Sequence, residues 1–125
     1  MSTKNEISDQ FVIWNDALQT GDPDNVVACY AADAILLPTV SAKVRHNHDE
    51  IRDYFVHFLS KKPYGRMTEQ NIRIYDKIAV NSGLYTFSLA ENGGHADVAA
   101  RFTFVYRKYE DKWLIIEHHS SILPA

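Results

Sequence analysis

At 125 residues and 14.3 kDa the chain is sized for one domain with a substantial core. Its hydrophobic fraction of 46% and charged fraction of 23% exclude disordered and fibrous classes. A net charge of −3 without a basic stripe argues against a nucleic-acid partner. The lone Cys29 cannot form an internal disulfide and fits a reducing compartment, and no apolar run reaches membrane length. A cytoplasmic protein with no membrane partner is expected.

In chain order, Ser2 to Asn5 offer helix caps, and Ile7, Phe11, Trp14 and Leu18 then recur at helical spacing until Gly21. Asp22 and Pro23 open a second short helix as cap and first residue, with Val26, Val27, Cys29 and Tyr30 on its buried side and an end near Ala31–Ala32. Residues 34–39 read as an apolar strand closed by Pro38, and 41–48 as a polar turn. Asp49 caps a third helix over 50–60, with Ile51, Tyr54, Phe55, Phe58 and Leu59 inward and Lys61-Lys62-Pro63 as its stop.

The period then changes from helical to alternating. Strands are expected over 66–75, 78–90, 96–107 and 113–122, with a bulge or bend at Gly83 and a hairpin at Asn92-Gly93-Gly94. With Tyr109-Glu110-Asp111 as a three-residue loop and Asp111 left-handed, Arg101 lies opposite His119 and Thr103 opposite Glu117. A one-residue slip changes that pairing, so the choice between His118 and His119 as the inward imidazole stays open. Helices followed by consecutive strands predict an α+β fold, a cone-shaped curved antiparallel sheet with three helices on its concave face.

Arg101, Glu117 and His119 are the one constellation of chemical character, and they are expected to face the cavity. Glu117 and His119 are the candidate catalytic pair, while Arg101, Thr103, Tyr85 and Trp14 are candidate ligand-binding residues. A satisfied structural network is the competing reading of the same charges. On this assignment Phe102, Phe104, Tyr106, Leu114 and Ile116 form the outer face, which a second copy would cover. Arg107 is expected to stack on Trp113. His46 and His48 share one side of a turn without a third ligand at zinc-like spacing, so no metal is expected. No glycine-rich dinucleotide fingerprint is present, so no cofactor is expected either.

Four local signatures run in order along nearly the whole chain: Thr20-Gly21-Asp22, Tyr30-Ala31-Ala32-Asp33-Ala34, Asp49-Glu50-Ile51-Arg52-Asp53-Tyr54-Phe55 and Lys112-Trp113-Leu114-Ile115. In this the sequence resembles the nuclear transport factor 2-like superfamily, also called cystatin-like or SnoaL-like. The stretches Tyr54-Phe55-x-x-Phe58-Leu59-x-Lys61-Lys62-Pro63-x-Gly65-Arg66 and His118-His119-Ser120-Ser121 are most similar to small bacterial relatives of the calcium/calmodulin-dependent protein kinase II association domain, the SgcJ/EcaC type. The resemblance implies a homodimer through the sheet with a conical pocket for a small polar or anionic ligand, and lyase, isomerase or cyclase chemistry. Its alternative implication is a non-catalytic association or hub module that builds dimers or larger rings. The ketosteroid isomerase pattern is incomplete: Leu36, Leu37 and Pro38 stand where its general-base aspartate would fall, Trp14 replaces its tyrosine, and Asp97 alone matches a third group. The SnoaL-type cyclase pattern implies Glu117 as acid/base, with Arg101 as a clamp for an oxyanion or carboxylate.

Overall fold

The computed structural model describes residues 3–124, so Met1, Ser2 and Ala125, including the candidate cap at Ser2, lie outside the described residues. Among the described residues the order is α1 (Lys4–Gln19), α2 (Pro23–Val27), β1 (Tyr30–Leu37), α3 (His48–Phe58), a 3-10 turn (Leu59–Lys61), β2 (Tyr64–Tyr75), β3 (Ile78–Glu91), β4 (Gly94–Tyr109) and β5 (Lys112–Ile122). Thr3 caps α1 in a capping box, accepting from Glu6 N at 3.3 Å while the Glu6 carboxylate accepts from Thr3 N at 3.2 Å. The stripe Ile7, Phe11, Trp14 and Leu18 is buried as its spacing requires. Asp22 caps α2 with Pro23 at its first turn.

Two boundaries differ from the sequence reading for tertiary reasons. α2 stops at Val27, because Tyr30 is already paired with Ile115 of β5 and its ring is buried against Phe55. Asn47, not Asp49, caps α3: its side chain accepts from Glu50 N at 2.9 Å, and Asp49 falls in the first turn, where the helix dipole favours a carboxylate.

The sheet order is β1-β5-β4-β3-β2. Strands β2 to β5 form an antiparallel meander, and β1 joins β5 in parallel at the edge, so the sheet is mixed where an antiparallel one was expected. The irregularity expected at Gly83 sits on its neighbour instead: Thr68 of β2 is the extra residue between Met67 and Glu69. Gly83 permits this bulge, because a Cβ on it would lie 2.2 Å from the Glu69 carbonyl oxygen.

The β4–β5 hairpin changes the expected register. Tyr109 pairs with Lys112 across a two-residue loop, Glu110-Asp111, in which Glu110 and not Asp111 has a positive φ of 57°. Arg101 therefore stands opposite Ser121 rather than His119, and Thr103 opposite His119 rather than Glu117. The register shifts again between Val105 and Tyr106, which face Glu117 and Ile115, so Ile116 is an extra residue in β5. That bulge inverts the alternation: Trp113 and Ile115 point inward before it, His118 and Ser120 after it.

The sheet faces are consequently exchanged relative to expectation. Phe102, Phe104 and Tyr106 are buried under the helices, together with Tyr85, Phe87 and Leu89 of β3. Arg101, Thr103, Val105 and Arg107 point the other way. The physical reason is area: three aromatic side chains in one row remove far more apolar surface from water than the opposite row of arginines, threonine and valine can. Arg107 accordingly stands opposite Leu114 and lies over Tyr109, at 5.2 Å from its centroid, while Lys108 is the residue paired with Trp113.

Candidate functional site

The helix-covered face encloses a small cavity of about 30 Å³, room for one or two waters. Trp14 of α1, Tyr54, Phe55 and Phe58 of α3, and Phe87 and Leu89 of β3 supply its apolar wall. Its lining reaches the surface at Val40, which is exposed. Its polar part comes from the sheet: Tyr85, His118 and Ser120, joined by Thr39 just beyond the end of β1.

These groups form one continuous hydrogen-bonded chain. Trp14 Nε1 donates to Tyr30 Oη at 3.1 Å, and Tyr30 Oη lies 2.9 Å from His118 Nδ1. On the other side of the ring, His118 Nε2 is 3.2 Å from Tyr85 Oη, which donates to Ser120 Oγ at 2.7 Å. Ser120 Oγ in turn contacts Thr39 Oγ1. The imidazole lies flat on Phe104, with centroids 4.0 Å apart, and meets the edge of Trp14 at 5.4 Å.

Burial sets the electrostatics. Loss of water pushes the His118 imidazole down to about 3, with the neighbouring His119 adding to the fall, so it is neutral near pH 7. Desolvation also pushes the phenols of Tyr30 and Tyr85 up, leaving both protonated. The cavity is therefore an uncharged, hydrogen-bonded surface under an aromatic roof.

Of the residues predicted for a site, Trp14 and Tyr85 line this cavity. Arg101, Thr103, Glu117 and His119 occupy the opposite face of the sheet, with Arg101, Glu117 and His119 exposed. Their pairing on that face is Thr103 with His119 and Val105 with Glu117. His118, Tyr30, Ser120 and Thr39 were not among the predicted site residues. Doubled histidines at 118 and 119 left one imidazole inward in either register, and the aromatic row on β4 marks which one.

The remaining histidines have local partners. His46 Nδ1 lies 2.9 Å from the Glu50 carboxylate, and His48 Nε2 donates to the Tyr30 carbonyl at 2.8 Å. Among the described residues no group of three His, Cys, Asp or Glu side chains is arranged to hold a metal ion. Arg45, buried in the 41–48 segment, is consumed by Asp53 at 2.7 Å and by the Glu50 and Lys43 carbonyls, which anchors the loop over Tyr54. That ion pair holds the exposed Asp53 carboxyl below its usual range.

Comparison with known proteins agrees with this architecture. A family model described as the calcium/calmodulin dependent protein kinase II association domain matches residues 3–124. Among solved structures, the chain is similar to one from Xanthomonas campestris assigned as a calcium/calmodulin dependent protein kinase II association domain. The two share 47% identity over 99% of this chain and 90% of that one, with a TM-score of 0.95. It is also similar to a protein of unknown function with a cystatin-like fold from Nostoc punctiforme, at 21% identity, 98% and 92% coverage and a TM-score of 0.81. The hub homology domain of Chlamydamonas reinhardtii CamKII superposes with a TM-score of 0.83 at 18% identity, over 99% of this chain and 100% of that one. The last two establish likeness of fold. No curated protein matches the chain. With its α+β nuclear transport factor 2-like fold and a family match across all described residues, the chain belongs to the calcium/calmodulin-dependent protein kinase II association domain family.

Proposed function

We propose that this chain is a homo-oligomerisation module that pairs at least as a dimer through the outer face of its sheet. The observation that carries this reading is the composition of that face. Val80, Leu84, Val105 and Ile116 are half-buried apolar side chains there, set among Arg101, Glu117 and His119. Among the described residues no helix covers this side, and neither Arg101 nor Glu117 forms an ion pair within the chain. In a two-fold arrangement a contact made by one copy is made again in reverse, so Arg101 of each copy is available to Glu117 of the other. Apolar side chains interleaved with charges that pair across the two-fold have the make-up of a specific interface.

Mass measurement by light scattering and native spectrometry tests this. The expected result is a dimer or a larger closed assembly at micromolar concentration, a ring supporting the hub form of the reading. Val105→Glu places a charge beside Glu117 at the centre of the face, and the expected variant is a folded monomer. A wild-type monomer throughout that range refutes the proposal.

The cavity favours a second reading, a small-molecule site carried on the same module. Its support is the combination of an apolar wall with the hydroxyl groups of Thr39, Tyr85 and Ser120, and its volume of about 30 Å³ limits any guest to the size of one or two waters. Proton-transfer catalysis by Glu117 and His119 would require a substrate on the water-exposed outer face. His118, neutral and held on both nitrogens, is an orienting group rather than a poised base.

A further inference from the structure

A second hollow, apart from the cavity under α3, is a groove of about 430 Å³ between α1 and the β4–β5 hairpin. That volume falls inside the roughly 300–1,000 Å³ of small-molecule sites. Ile13 and Ala17 of α1 and Ile115 of β5 give it apolar walls, and Tyr106 and Trp113 bring two aromatic rings from the inward side of the sheet. β1 pairs with β5 only from Ile115 onward, so Lys112 to Leu114 have no strand neighbour on that side and join the lining.

Two polar atoms of this lining are unsatisfied. Trp113 Nε1 and Tyr106 Oη are buried without a hydrogen-bond partner among the described residues, and the two residues are 5% and 1% exposed. Indole only donates, and burial keeps the phenol protonated, so the groove holds two donors and lacks an acceptor. Charge adds a second requirement. Glu6, Asp9 and Asp111 stand in the lining against one base, Lys112. The Glu6 carboxylate accepts from Thr3 N, whereas Asp9 on α1 and Asp111 on the hairpin are exposed and form no ion pair among the described residues.

We infer that this groove binds a small organic cation of the amino-alcohol class, its alkylated ammonium between Asp9 and Asp111 and its oxygen accepting from Trp113 or Tyr106. Alkyl groups on the nitrogen suit the apolar walls, and an anion would meet three carboxylates. Both donor atoms are covered, so contact with either requires that residue to shift toward the groove, and the Trp113 indole N–H signal records the shift.

Choline, neohexyl alcohol and trimethylpropylammonium share one branched frame; the second replaces the charged nitrogen by carbon, and the third replaces the hydroxyl by methyl. Phosphocholine represents a lipid headgroup as the source of the same cation. In nuclear magnetic resonance titrations of the intact protein, choline is expected to move the indole N–H signal of Trp113 and leave that of Trp14, the other tryptophan, in place. Trp113→Phe identifies the signal. Loss of the charge is expected to weaken binding about tenfold, and loss of the oxygen about fivefold, the worth of one neutral hydrogen bond. Phosphocholine is expected to bind more weakly than choline by about tenfold or more, because its phosphate faces the carboxylates. Asp9→Asn/Asp111→Asn is expected to weaken choline about tenfold and to leave neohexyl alcohol unchanged, with the fold verified by circular dichroism. Neohexyl alcohol, trimethylpropylammonium or phosphocholine binding as tightly as choline overturns the inference, as does full choline affinity in the folded double variant. A Trp113 signal that choline leaves unmoved overturns it as well.

Discussion

Tyr30→Phe removes one oxygen and almost no volume, yet it breaks the buried chain at its most enclosed link. Tyr30 Oη is the acceptor for Trp14 Nε1 and the partner of His118 Nδ1, so its loss strands a donor and an acceptor together. Trp14, Tyr30 and His118 are 2%, 1% and 3% exposed, which leaves no route for solvent to replace the lost contacts. A stranded buried polar group costs about 1–3 kcal/mol, so two cost about 3 kcal/mol with allowance for local relaxation. Spread over a melting entropy of roughly 2 cal/mol/K per residue, that is a fall of about 11 °C in Tm. Urea denaturation and calorimetry at one fixed protein concentration measure it, since assembly itself stabilises the fold. A loss under about 0.5 kcal/mol would refute the proposition that the chain is dry and continuous. Tyr30→Phe/His118→Leu, which removes the second partner as well, is expected to recover part of the loss.

Two further outcomes follow from the same packing. Because His118 titrates at about 3 when folded and near 6.5 when unfolded, the unfolded chain binds the extra proton between those values. Stability is therefore full above about pH 6.5 and falls with acidification toward pH 3, by up to about 1.4 kcal/mol per pH unit. Denaturation at several pH values checks this, and His118→Gln is expected to lose that part of the slope; an unchanged slope would mean another group governs it. Gly83→Ala forces a Cβ into the Glu69 backbone, so a destabilisation of about 2 kcal/mol or a shifted β2–β3 bulge is expected, read by denaturation and by amide signals of Thr68 and Glu69. Near-native stability with unchanged signals would show that the bulge has room to spare.

Much of the architecture was legible because it depends on local rules. The 4-3-4 spacing of Ile7, Phe11, Trp14 and Leu18 marks a helix face whatever surrounds it, and Asp22-Pro23 opens a helix by backbone chemistry alone. Helix order, strand order and the Asn92–Gly93 turn follow from such signals. The candidate site was legible only in part. Trp14 and Tyr85 line the cavity, whereas the charges of Arg101, Glu117 and His119 signal chemistry without fixing the sheet face they occupy. The competing signal, the row Phe102-x-Phe104-x-Tyr106, pointed the other way and prevailed by apolar area.

Taken alone, the sequence determined the class of fold, the order of its elements and the family signatures, since each is written in residues close together along the chain. Tertiary structure decided which side of the sheet is inside and which of two adjacent histidines is buried. Strand pairing has a period of two, so a single extra residue such as Ile116 reverses every side chain beyond it, and that residue is set by partners on β4 rather than by its neighbours in the chain.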